Sequence, residues 1–218
     1  MNVFRQLTEK PWLTAESAVA APPHAAAFAL PKARLGLWVF LAVVTVLFML
    51  LIMAYAVRMA FEDWRPGPEL GLLWFNTIVL LASSVEMRRA TAAARRGRVG
   101  DMRSGLLSGG MLALVFLVGQ FLAWRQLRGQ GTFGMTIPAV AFFYLITGVH
   151  ALHIVGGLVV WGMTTARVWG GAALAEVRQS IELCTLYWHF MLGVWLVLFG
   201  LLFSGNNMSA LLAICGIR

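Results

Sequence analysis

Residues 141–163 read AFFYLITGVHALHIVGGLVVWGM, an uncharged run whose polar side chains are Tyr144, Thr147, His150 and His153. A bilayer crossing needs about 20 apolar residues, and lipid offers the backbone no hydrogen-bond partners, so such a run satisfies itself as a helix. Membrane barrel strands would alternate in polarity, and this run does not. His150 and His153, three residues apart, project from one face of that helix.

Working outward, four similar runs complete the chain. The spans are placed at 35–57, 70–86, 104–124, 137–163 and 181–204. The first closes at Arg58, and Glu62, Asp63, Arg65, Pro66 and Pro68 then make a polar turn that cannot stay in hydrocarbon. The second helix continues past Glu86 and Met87 into the arginines beyond. The expectation is an all-α integral membrane bundle of five transmembrane helices over residues 35–204. Residues 1–34, with Pro22, Pro23 and Pro31, read as a polar, loosely ordered arm, and 205–218 as a short C-terminal tail. A cleaved signal peptide is the weaker reading of the arm, because the stretch Ala25 to Leu30 falls short of an h-region of about 7–15 residues.

Composition agrees. Apolar residues make up 60% of the chain and charged ones 12%, a balance suited to lipid rather than water. The formal charge of +8 is spread between the apolar runs instead of forming one patch, which orients a membrane protein and argues against nucleic acid. Twelve Lys and Arg fall on one side: Arg5, Lys10, Lys32 and Arg34; Arg88, Arg89, Arg95, Arg96, Arg98 and Arg103; Arg167 and Arg178. Arg58, Arg65, Arg125, Arg128 and Arg218 fall on the other, so the N-terminus is expected in the cytoplasm and the C-terminus outside. Arg88, Arg89, Arg95, Arg96 and Arg98 serve first as a topology signal and are also candidate contacts for anionic lipid headgroups. Cys184 and Cys215 have no CxxC spacing and leave the redox compartment unread.

Polar groups inside hydrocarbon are costly unless paired, so the few retained here carry most of the information. They are Asn76, Thr77, Ser83 and Ser84 in the second span, Gln120 in the third, Tyr144, Thr147, His150 and His153 in the fourth, and Glu182, Thr185, Tyr187 and His189 in the fifth. Three histidines suit haem or metal ligation. Interhelical hydrogen bonding is the preferred reading, being a normal glue in membrane bundles. A short connection makes the last two helices antiparallel neighbours, but whether Glu182 meets His153 depends on tilt and register. His24 reads as solvated, and Glu86 as an interfacial carboxylate or a partner of Arg88 or Arg89. Glycines 109, 110, 148, 156, 157, 162, 193 and 200 would let helices approach closely.

The order FNTIVLLASS, GQFLAW, FYLITGVHALHIVGG and ELCTLYWHFMLGVWLVLF resembles subunit III of the haem-copper cytochrome c and quinol oxidases. The TGxHxxHxxxG run and the Glu-x6-His-Phe run, on consecutive spans, are the specific part, and the resemblance covers about Leu70 to Ser204. It is to the short, five-helix form of the family. By matching position, Asn76, Thr77, Ser83, Gln120, Tyr144, Thr147, Gly148, His150, His153, Gly157, Glu182, Tyr187, Trp188, His189, Phe190 and Trp195 carry the pattern.

The resemblance implies a non-catalytic subunit in the bacterial inner membrane, with no haem, copper or catalytic centre of its own. It would pack on catalytic subunit I beside subunit II, hold phospholipid in a cleft between helix groups, and sustain proton uptake in a respiratory complex that couples oxygen reduction to proton pumping. Haem and copper would sit in the partner subunits. Three family carboxylates are replaced, by Leu192, Ala123 and Arg96. Apolar or cationic side chains cannot accept and release protons, which favours a packing and lipid-binding role over proton handling. The alternatives are a comparable accessory protein of a nitric oxide reductase, a stand-alone haem or metal protein using His150, His153 and His189, and a small transporter, for which the chain lacks internal repeats.

Overall fold

The computed structural model describes residues 32–61, 64, 71–129 and 138–204. Five helices follow in order: α1 (Lys32–Met59), α2 (Leu72–Arg95), α3 (Val99–Gly129), α4 (Pro138–Trp169) and α5 (Leu174–Ser204). Most of these helices run past the apolar stretches read from the sequence; α2 begins at Leu72, after its N-cap Gly71, and continues through the arginines to Arg95. Most of the N-terminal arm, the charged turn at Glu62, Asp63 and Arg65, and the C-terminal tail lie outside the described residues.

Two tight turns fix which helices are antiparallel neighbours. After α2, Gly97 takes a φ of 72°, a left-handed conformation that a β-carbon disfavours. The amide of Arg98 then donates to the carbonyl of Ala93 and that of Gly97 to Ala94, a Schellman close that turns the chain directly into α3. Gly171, with φ 78°, ends α4 in the same way, the Ala172 amide donating to the Arg167 carbonyl. Pro138 opens α4, where its missing N–H costs nothing.

The chain divides into two units between Trp38 and Val39. In the first, the described residues from Ala33 are the start of α1 and are mostly exposed. The second holds the bundle: α2 packs most extensively on α3, then on α5, while α4 lies against α5 and α3. The rest of α1 makes no close backbone approach to another helix among the described residues. It reaches the bundle through Val44, Phe48, Tyr55 and Met59, which pack with Ile146 of α4 and Leu198 of α5.

Among the described residues, four helices, α1, α3, α4 and α5, are long and apolar enough to cross a membrane. The expectation of five spans meets this limit at α2. Its uncharged stretch, from Leu72 to Val85, is followed by Glu86, Arg88 and Arg89, and it buries Asn76, Thr77, Ser83 and Ser84. Polarity in α2 follows from its position: α3 and α5 cover it, so Asn76, Thr77 and Ser83 bond to protein rather than face lipid.

Candidate functional site: polar cross-links through the bundle

The antiparallel pair α2 and α5 is joined at four levels. The Trp195 indole donates to Thr77 Oγ1 at 3.0 Å, and the Trp188 indole to Ser83 Oγ at 2.9 Å. Thr185 Oγ1 meets Thr91 Oγ1 at 2.7 Å and the Met87 carbonyl at 3.2 Å. At the last level Arg95 Nε donates to Glu182 at 2.9 Å. Rising numbers on α2 meet falling numbers on α5, as two antiparallel helices in one register require.

Helix α3 is tied to both neighbours. Ser83 Oγ, which accepts from Trp188, donates to the Gly109 carbonyl at 2.6 Å, so one hydroxyl joins α5, α2 and α3. Asn76 Nδ2 donates to Gln120 Oε1 at 3.4 Å, and Ser108 to Glu86 at 3.0 Å. Toward α4, the Trp124 indole donates to Thr147 Oγ1, and the Tyr144 hydroxyl to the Trp124 carbonyl. Trp161 donates to the Leu106 carbonyl at 2.8 Å, its indole lying where a β-carbon on Gly110 would be. The Tyr187 hydroxyl closes the circuit from α5 to the His153 carbonyl at 2.7 Å. Thr77 and Thr147 share a logic: each donates to the carbonyl four residues earlier and accepts from a tryptophan on a neighbouring helix.

His150 and His153 both lie against Phe48, and among the described residues no hydrogen bond joins any two of the three span histidines. Nδ1 of His153 and of His189 each lies 2.8 Å from a carbonyl of its own helix, that of Val149 and that of Thr185. His150 is buried among Phe48, Phe116 and Trp195. Among the described residues, no three His, Cys, Asp or Glu side chains form a metal-holding group. Glu182 meets Arg95, and Arg178 at 3.6 Å, rather than His153. Of the candidate headgroup contacts, Arg89 pairs with Glu86, Arg95 with Glu182 and Arg98 with Asp101, while Arg88 and Arg96 are exposed. Of the replaced carboxylates, Ala123 is fully buried, Leu192 half-buried, and Arg96 caps α2.

Sequence reasoning passed over Thr91, Ser108 and the Trp161 indole. The available signal for Trp161 was a tryptophan inside one span with a Gly-Gly pair, Gly109 and Gly110, in another.

The Ser83 junction yields a double-mutant cycle, Ser83→Ala against Trp188→Phe, read by detergent unfolding of the chain. A coupling of about 1 kcal/mol is expected, in the range of interhelical bonds in membranes; strict additivity would show that the two side chains do not interact. Glu182→Gln is expected to cost at most about 0.5 kcal/mol, because its ion pair is open to solvent. A much larger loss in the same unfolding experiment would contradict that.

Geometry thus defines a class: a multi-pass helical membrane protein whose intramembrane polar side chains are largely bonded to neighbouring helices. The family model for cytochrome c oxidase subunit III matches residues 23–205. A probable cytochrome c oxidase subunit 3 of Mycobacterium bovis is 33% identical over 147 residues, 65% of this chain and 71% of the relative. Cytochrome c oxidase subunit 3 of Thermostichus vulcanus is 31% identical over 175 residues, 78% and 85% of the two chains. Cytochrome bo(3) ubiquinol oxidase subunit 3 of Pseudomonas aeruginosa is 27% identical over 169 residues, 75% and 80%. The chain belongs to the cytochrome c oxidase subunit III family. These relatives are oxidase subunits, so the nitric oxide reductase alternative is not favoured.

Proposed function

We propose that the chain is the non-catalytic third subunit of a respiratory haem-copper oxidase in a bacterial inner membrane. It crosses the bilayer five times, with the N-terminus cytoplasmic and the C-terminus outside. It docks on subunits I and II, which hold the haem and copper, and it contributes assembly, phospholipid binding and sustained proton uptake. Family membership supports the complex, and the excess of basic residues on alternate connections supports the orientation.

The observation that carries the scaffold role is the three-helix junction at Ser83. Groups bonded in this way fix helix positions and have little capacity left for a substrate. Thr77, Tyr144, Thr147, Tyr187 and Trp188 act with Ser83 in this sense, and Asn76 and Gln120 bond to each other across α2 and α3. His150, His153, His189 and Glu182 belong to the same packing set, and Arg88 and Arg96 are the cations left for lipid headgroups.

Gentle detergent extraction with the chain tagged, followed by subunit identification, tests the proposal. A large histidine-rich catalytic subunit in stoichiometric amount is the expected companion. Recovery of the chain alone, or with proteins of no respiratory complex, would contradict it.

A further inference from the structure

His150 is fully enclosed, and among the described residues neither of its ring nitrogens has a hydrogen-bond partner. Its surroundings are aromatic: Phe48, Phe116 and Trp195 lie 6.2, 5.8 and 5.2 Å away between ring centroids. Two more buried atoms without a partner are Gln120 Nε2 and Asn76 Oδ1. The three residues are linked through their neighbours. Gln120 follows Phe116 by one turn of α3, Asn76 precedes the Thr77 that accepts from Trp195, and both Phe116 and Trp195 touch His150. A buried polar group without a partner costs about 1–3 kcal/mol, and hydrocarbon around the bundle offers no relief.

We propose that His150, Gln120 and Asn76 line an internal hydration site, with ordered water held between α2, α3 and α4. The chemistry of the wall suits water. A neutral imidazole offers one N–H and one lone pair, Gln120 Nε2 a donor and Asn76 Oδ1 an acceptor; buried waters typically make about three such bonds. Asn76 Oδ1 occupies the space that a β-carbon on Gly119 would fill, so the glycine is what lets this acceptor reach the α2–α3 interface. Phe116 and Trp195, both fully buried, pack against the His150 ring. A bound cation is disfavoured by the lack of a carboxylate among the three residues. The site does not depend on the docking partners proposed above. It gives α4 a polar link to α2 at a level where the side chains make none directly.

The test is a map of the intact complex at a resolution that shows ordered solvent, for the parent chain and for His150→Phe. Expected is a peak within hydrogen-bonding distance of a His150 ring nitrogen and of Gln120 or Asn76, lost in the variant. Both imidazole nitrogens bonded directly to protein, no peak, or the same peak retained in the variant would each overturn the proposal. If the variant does not assemble, the parent map decides alone.

Discussion

Trp195→Ala is expected to destabilise the bundle by about 3–5 kcal/mol, the range for truncating a large buried aromatic. Trp195 is fully buried and packs edge-on against Phe116 at a centroid distance of 4.9 Å and beside His150 at 5.2 Å. Its indole also supplies the Thr77 bond between α2 and α5. Truncation therefore opens a cavity in contact with three helices and removes one cross-link. Trp195→Phe should recover most of the loss, since it refills the space without the donor. Denaturation in mixed micelles separates the two contributions. An alanine variant within about 0.5 kcal/mol of the parent, the scale of an ordinary surface substitution, would show that this layer is not the core described here.

Gly105→Leu is the second large effect. A β-carbon on Gly105 would stand 3.0 Å from the backbone nitrogen of Ala90 and 3.1 Å from the carbonyl oxygen of Glu86. Backbone atoms of a packed helix cannot turn aside, so α2 and α3 must separate. Overpacking alone costs about 1–3 kcal/mol, and separation would also stretch the Ser83 to Gly109 and Ser108 to Glu86 bonds. The expected result is failure to accumulate in the assembled complex. Gly100→Leu is the matched control on the same helix, because nothing lies within 4 Å of a β-carbon there. Equal accumulation of the two variants would remove the close approach of α2 and α3 from the explanation.

Helices were legible in the sequence because the bilayer demands long apolar runs, and polar residues stood out against them. The runs also showed that polar groups such as Asn76, Ser83 and Thr147 were unusual, since charge and hydroxyls are rare in hydrocarbon. Their partners were another matter. Ser83 is met by the Trp188 indole and the Gly109 carbonyl, groups that a scan for titratable and hydroxyl side chains does not weigh. The pairing of α2 with α5 joins helices far apart in the chain, and hydrophobic runs carry no information on which distant helices meet. Rotation and register, which periodicity also leaves open, put Glu182 beside Arg95 and turned the Nδ1 of His153 and His189 onto their own helices. The polarity that makes α2 a weak span by composition marks it as the helix most enclosed by its neighbours, a reversal visible only once packing is known.

The decisive measurement is haem and copper content, with the first turnover on oxygen, in oxidase purified from cells that have or lack this chain. If its polar groups serve helix packing, metal content and first turnover are equal in the two preparations, and the preparation without the chain loses activity sooner under continuous turnover. Haem or copper missing in proportion to the missing chain would contradict this and place a redox centre among its histidines.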